Sequence, residues 1–470
     1  MQATGPSFTL GRYTVPLAPR AARSALVTEV TGMSRPLRLW LGALLGVMGA
    51  AAIAALIAIP PGWEVFGTTP SFEWGMMIVG YVFFALMTSG LCLASSLGTV
   101  FGIERFRPLE KRHAILAVLS LTTAFGIIAL DLHYPVRMVF GALLVPSPSS
   151  PMWWMGVFYG AYLVVLLVEV WSMFTPHPKI HQWSCTLAAA IAICAPTTLG
   201  AVFGVLSAKS FWAGPLTPVQ MVTTAFLAGT SLLGIVFYAV SRFRLQDRER
   251  AVRLGIPSIR LLIAVGLLIV GSLLALKIGM GLTGSAPGLR DATVALVSGP
   301  IAAPFWLVRV LIGLVIPLLI VTMPMTRTPV WLLVAAVAAL TGVFVDRYLF
   351  VMAGQIAPIS AGAGMVSSPY ASYTPTIVEM TIMLGAGAFL AFVYTLAERY
   401  LDLEESDDHV FFPFPWVTSH AHDVEGAAQA PAEPVEVAGS VEVGPVRAAP
   451  VVLAVPVSVP GVAVVEGDAS

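Results

Sequence analysis

The stretch ALDLHYPVRM (Ala129–Met138) sets Asp131, His133, Pro135 and Arg137 directly behind the apolar run ILAVLSLTTAFGIIAL. A carboxylate and an imidazole at the mouth of an apolar segment are groups suited to exchanging protons with a bound substrate. Beside a cation such as Arg137 or Arg309, Asp131 would instead stay ionised, and both readings stand at this level. His133 is two residues on, so on a continuing helix it does not share the face of Asp131. Pro135 disfavours helical geometry at Tyr134, which ends the helix and frees His133 to turn back.

Other ionisable residues fall inside or at the edges of apolar runs, where charge is costly and marks function or pairing. Glu73, Lys277, Arg309, Asp346, Arg347 and Glu379 join Asp131, His133 and Arg137 at one boundary of the spans, consistent with a polar pocket between helices. Arg309, in PFWLVRVLIGL, calls for a carboxylate partner, with Asp131, Asp346 and Glu379 as candidates. Glu169, in LVVLLVEVWSMF, lies near the opposite boundary and is a candidate proton relay, or else the partner of a loop arginine such as Arg105.

The elements that position these groups follow from composition. Of 470 residues 57% are hydrophobic and 11% charged, less than half the charged share usual in soluble domains. Long non-alternating apolar runs recur, which indicates helical membrane spans rather than a barrel. Ten spans are expected, near Leu37–Ile59, Met76–Phe101, His113–Leu130, Trp153–Phe174, Trp183–Leu206, Val219–Val240, Ile259–Ile278, Phe305–Met323, Val330–Phe350 and Ile377–Tyr400. The link PMTRTP between the eighth and ninth is short enough for a re-entrant kink. The fold class is therefore an all-α polytopic integral membrane protein: a lead over 1–34, a ten-helix membrane domain over 35–402 and a low-complexity, disordered tail over 403–470. Spans two to five and six to nine suggest two four-helix groups, with the first and last helices peripheral. The lead reads as cytoplasmic and the first run as a retained span, not a cleaved signal.

Positive charge sorts by loop. ERFRPLEKRH and RFRLQDRERAVR are arginine-rich, the latter with five arginines, whereas PPGWEVFGTTPSFEW has no lysine or arginine. By the positive-inside rule both termini are cytoplasmic, and ALDLHYPVRM faces outward, toward a periplasm in a Gram-negative cell. Near-zero net charge offers no case for nucleic acid. Cys92, Cys185 and Cys194 sit in apolar runs without a C-x-x-C pair, so no iron–sulfur cluster or c-type haem is expected in this chain. His113, His133, His177 and His181 fall in loops or at helix ends rather than deep in spans, which disfavours a membrane haem; no metal site is expected.

The block GTVFGIERFRPLEKRHAILAVLSLTTAFGIIALDLHYPVRMVF resembles the NrfD/PsrC polysulfide-reductase-type membrane subunits, in which an ERF-type loop joins two spans and a DL..P motif ends the second. The layout is similar to larger members such as the HybB-type hydrogenase anchor and the quinol-oxidising subunits of alternative complex III. The resemblance implies a cofactor-free protein whose substrate is a quinone or quinol. It implies a pocket toward the outer face and a ferredoxin-like iron–sulfur partner docked there, beside further membrane and redox subunits and lipids. Asp131 matches the family aspartate thought to bind quinone or transfer protons. His133 and Tyr134 replace the usual Gly-Arg, and Thr99 stands where larger members place a histidine. The resulting expectation assigns proton chemistry to Asp131, His133 and Glu169. Quinone contacts are expected from Asp131, His133, Tyr134, Arg137, Thr99, Arg309 and Glu379. A structural anchor without a working quinone site and a secondary transporter are the rival readings.

Overall fold

The structure is a computed structural model that describes residues 7–10, 13–16, 29, 31–58, 65–101, 103, 110–132, 146–175, 177–243, 248–286, 288–357, 370–401 and 403. His133, Tyr134 and Arg137, and the tail expected to be disordered beyond 403, lie outside the described residues.

A short antiparallel hairpin pairs β1 (Ser7–Leu10) with β2 (Tyr13–Pro16); the other regular elements among the described residues are helical. The helices are α1 (Arg35–Ala58), α2 (Met76–Thr99), α3 (Glu110–Asp131), α4 (Pro151–Met173), α5 (Pro178–Gly204), α6 (Leu216–Phe243) and α7 (Arg248–Thr283). A short α8 (Leu289–Val297) follows, then α9 (Pro304–Thr322), α10 (Pro329–Ile356) and α11 (Ile377–Tyr400). Ten of these, all but α8, are long and apolar enough to cross a membrane, in agreement with the ten spans expected. The chain is a multi-pass integral membrane protein. Residues 324–326 form a single 3-10 turn between α9 and α10, so this link joins two separate spans.

Local sequence accounts for several boundaries. Pro151 and Pro178 open α4 and α5 in the first turn, where a missing N–H costs nothing. Thr376 and Glu379 form a reciprocal capping box at the start of α11. At the C-terminal end of α9, Arg260 donates to the carbonyls of Ile320, Val321 and Met323 at 2.7–2.9 Å, satisfying acceptors that a helix end leaves open.

Helices α2–α5 form one bundle and α6, α7, α9 and α10 a second, while α1 packs on α11 and α11 on α3. Burial follows this arrangement: 89% of the apolar window of α2 is covered, against 22% of that of α1. Helix α2 is therefore central and α1 turns most of its surface to lipid. The seam between bundles is the crossing of α2 and α6. There Gly90 meets Ala225 and Gly229 so closely that a Cβ at Gly90 would overlap the Ala225 carbonyl. Small residues let membrane helices approach this way, since lipid-facing apolar side chains provide no drive for association.

Candidate functional site

Two ends of the first bundle can be distinguished along α3, which carries His113 in its first turn and Asp131 as its last residue. At the Asp131 end, Gly80 of α2 faces Met383 of α11 and Ile127 of α3. Asp131 itself is half-buried. Glu379, fully buried at the start of α11, is its electrostatic neighbour.

Both oxygens of Glu379 are engaged. Oε1 accepts from Tyr373 at 2.6 Å and from the Met76 amide at 3.3 Å. Oε2 accepts from the amides of Thr376 at 2.8 Å and Gly67 at 3.1 Å, and from the Thr376 hydroxyl at 3.1 Å. Tyr373 also accepts from the Met76 amide at 2.7 Å and stacks on Phe72. Burial, then its bond to Glu379, pushes the Tyr373 phenol well above the ordinary tyrosine range, so it stays protonated as a donor. A second clasp lies beside it: Gln355 at the end of α10 exchanges two 2.9 Å hydrogen bonds with the backbone of Trp74. Trp212 stacks on Trp74 and donates to the Phe350 carbonyl at 2.7 Å. These contacts tie the start of α2 to α10 and α11 and give the Asp131 end rigid walls.

At the other end of the same bundle, Glu169 is 2% exposed and lies 3.6 Å from Nε2 of His113. Arg105, the alternative partner that the sequence offered, lies outside the described residues. The second Glu169 oxygen has no donor among the described residues. Between Glu169 and the Asp131 end, Tyr162 faces Cys92, and Tyr159 faces Ser89. Neither tyrosine hydroxyl reaches a described partner at full hydrogen-bond geometry, although both rings are fully buried. Further along, the Tyr81 hydroxyl points at the Met155 sulfur. The first bundle thus carries a column of buried polar groups from Glu169 through Tyr162, Tyr159 and Tyr81, in the bundle interior between the side chains of α4 and α2. Buried polar atoms without partners are uncommon and mark places where hydrogen bonds can be made to something else.

The residues singled out from sequence separate into three places. Asp131 and Glu379 lie at the same end of the first bundle. Glu169 lies at the opposite end of the bundle. Thr99 does not approach Asp131: it ends α2, whose 24 residues rise about 36 Å, while α3 runs antiparallel beside it. Its hydroxyl bonds back to the Ser95 carbonyl at 3.3 Å. Thr99 is thus removed from any pocket that includes Asp131, because antiparallel neighbours place the end of one helix beside the start of the next. Arg309 belongs to the second bundle, where Nε donates to Asp346 at 2.6 Å. Of its three candidate partners the structure selects Asp346.

The column of tyrosines was missed from sequence, though a signal was present. Tyr159, Tyr162, Leu166 and Glu169 are spaced i, i+3, i+7, i+10, one face of a helix, and all four are buried. The period is hidden because the other faces of α4 are equally apolar and turn to lipid. Tyr373 and Gln355 had no such signal, since the backbone groups of Met76 and Trp74 that they bind are 297 and 281 residues away.

Comparison with known proteins agrees with the resemblance carried by the α2–α3 block. The chain is 25% identical over 349 residues to the Hdr-like menaquinol oxidoreductase integral membrane subunit of Archaeoglobus fulgidus, covering 72% of this chain and 86% of that protein. It is 21% identical over 389 residues to a selenate reductase subunit of Mesobacillus selenatarsenatis, covering 73% and 89%. It is 26% identical over 407 residues to a putative dimethyl sulfoxide reductase membrane subunit of Halobacterium salinarum, covering 78% and 92%. Residues 64–359, which hold α2 through α10 and so both bundles, match the family described as Polysulphide reductase, NrfD, and the chain belongs to that family.

Proposed function

We propose that this chain is the quinone-interacting membrane subunit of an oxidoreductase complex, with its quinone head-group pocket at the Asp131 end of the first bundle. The observation that carries the reading is Asp131 itself: a half-buried carboxylate ending an apolar helix, inside the family-matched region, beside walls held by Glu379 and Tyr373. The similarity to a protein named as a menaquinol oxidoreductase subunit supports the same substrate class.

Quinol oxidation releases two electrons and two protons. In this reading Asp131 accepts a proton, and His133, two residues beyond, is its companion. Tyr373 and Glu379 shape the wall rather than react, because the Glu379 oxygens are already occupied by protein donors. Electrons leave to an iron–sulfur protein of ferredoxin type docked at the same end. Reduction of a quinone runs along the same path in reverse. Following the distribution of lysine and arginine, the Asp131 end faces outward and both termini face the cytoplasm of a bacterial inner membrane. The polar column from Tyr81 to Glu169 offers hydroxyls, a carboxylate and the His113 imidazole as stations for proton movement across the bundle.

The test is Asp131→Asn in the intact complex. Quinone-linked turnover should fall by at least tenfold while assembly with the other subunits is unchanged. Full turnover in that variant removes Asp131 from the mechanism, and an assembled complex that never binds quinone supports the reading of a structural anchor instead.

A further inference from the structure

The second bundle contains a charged cavity that the quinone reading leaves unused. It lies among α6, α7, α9 and α10, near the α8 end, with an empty volume of about 480 Å³ counted out to its open mouth. Its charged lining residues are Lys277, Arg309, Arg347 and Asp346, with Asp346 the one carboxylate among the described lining residues. Arg309 and Arg347 are 1% and 2% exposed.

The hydrogen bonds do not use up the donors. Arg309 Nε and Arg347 Nη2 both donate to Asp346, on different oxygens. Among the described residues Arg347 Nη1 faces the thioether of Met221, a weak acceptor. Arg309 Nη1 and Arg347 Nε have no acceptor among the described residues. Lys277 donates to the Gln220 side chain at 3.1 Å and lies over the rings of Phe211 and Phe350, 4.3 and 4.7 Å from their centroids. Guanidinium groups do not deprotonate in proteins. With Lys277 charged the cluster carries two more positive than negative charges; with Lys277 neutral it still carries one. A buried uncompensated charge inside a membrane span is expensive. The π-helical first part of α9, Pro304–Val315, carries Arg309 into this space, and such helical irregularities are frequent where a helix serves a site.

We propose that this cavity is an oxyanion-binding site, taking a phosphate-type group through the free N–H groups of Arg309 and Arg347 and the Lys277 ammonium. Guanidinium donors fit the geometry of phosphate and carboxylate oxygens and form charge-assisted bonds with them. An anion compensates the excess charge; a neutral quinone ring accepts hydrogen bonds but leaves that charge in place. The charged residues can take the phosphate of a free ion or of an anionic lipid alike, and the apolar lining of Val270, Leu273, Leu274 and Phe305 suits the hydrocarbon part of the lipid. The site is separate from Asp131, so its failure and that of the quinone reading are distinguishable.

The test uses the full chain in its complex, stripped of lipid. Inorganic phosphate and nanodiscs containing phosphatidylglycerol are added separately, with thermal stability and native mass spectrometry as readouts. A saturable rise in Tm with phosphate identifies a free-ion site; a rise with phosphatidylglycerol alone, with retained lipid mass, identifies a lipid site. Asp346→Asn keeps both guanidiniums, removes the competing carboxylate charge and releases one more donor, so binding should tighten about tenfold. Arg347→Gln should weaken it by a similar factor; if that variant does not fold, Asp346→Asn and Lys277→Gln carry the test. Neither probe raising Tm, unchanged affinity in Asp346→Asn, or a response only to a short-chain quinone overturns the proposal.

Discussion

The phenol of Tyr373 donates to Oε1 of Glu379 at 2.6 Å, and the same phenol accepts from the Met76 amide at 2.7 Å. One side chain from the segment before α11 thereby links the capping carboxylate of α11 to the first turn of α2. The Asp131 end is built on this link, because Gly67, Gly75 and Met76 have their backbone against Glu379 or Tyr373.

Replacing Glu379 by alanine orphans several buried donors at once and removes a capping box. Each buried unsatisfied donor costs about 1–3 kcal/mol, so the variant should lose ~3 kcal/mol or more of stability, measured as a lowered Tm or reduced yield of folded protein. Tyr373→Phe should cost about 1–2 kcal/mol, since it leaves the Met76 amide without its shorter bond. If Glu379→Ala matched wild type in Tm, the carboxylate would not be holding the α2–α11 junction.

Arg112 and Glu398 join the other end of the molecule. Arg112 is 2% exposed and donates through Nε and Nη2 to Glu398 at 3.2 and 3.0 Å, and Tyr394 adds a 3.0 Å bond to the same carboxylate. Breaking a buried pair by removing one partner costs about 3–5 kcal/mol. Arg112→Ala and Glu398→Ala should each destabilise by that order, and the double variant by less than their sum. Additive losses in a double-mutant cycle would show the two residues acting independently.

Gly90 and Gly126 provide a paired test of the bundle seam. At Gly90 an added methyl overlaps the Ala225 carbonyl, whereas at Gly126 nothing lies within 4 Å. Gly90→Ala should push α2 and α6 apart, cost about 1–3 kcal/mol as overpacking does and lower quinone-linked turnover by distorting both bundles. Gly126→Ala should be neutral or slightly stabilising because alanine favours helix. Equal behaviour of the two variants would mean the close crossing is not required.

Glu169→Gln tests the polar column. It keeps the size of the side chain while removing the charge opposite His113. Proton uptake per electron in proteoliposomes should drop severalfold with quinone turnover largely kept. Unchanged coupling would exclude Glu169 as a proton station.

Much of the architecture was legible in the sequence because hydropathy is local. A run of apolar residues long enough to cross a bilayer must become a helix there, since no water is present to satisfy its backbone. All ten spans follow from that, as does the helix end at Asp131. The family resemblance was likewise readable from the α2–α3 block. What the pattern could not determine was which buried polar groups meet. Arg309 had three possible carboxylates and the fold chose Asp346, because α9 packs on α10. Glu169 met His113 because α3 and α4 are neighbours in the bundle. Glu379, expected as a substrate contact, proved to have its oxygens occupied by donors from segments 303–312 residues away and from its own cap. In a lipid-facing chain every helix surface is apolar, so periodicity does not reveal which face turns inward. Sequence therefore determined the spans and where the ionisable groups sit along them. Only the packing of one helix against another decided which charge neutralises which, and left one N–H group on each of the cavity-lining residues Arg309 and Arg347 without a described acceptor.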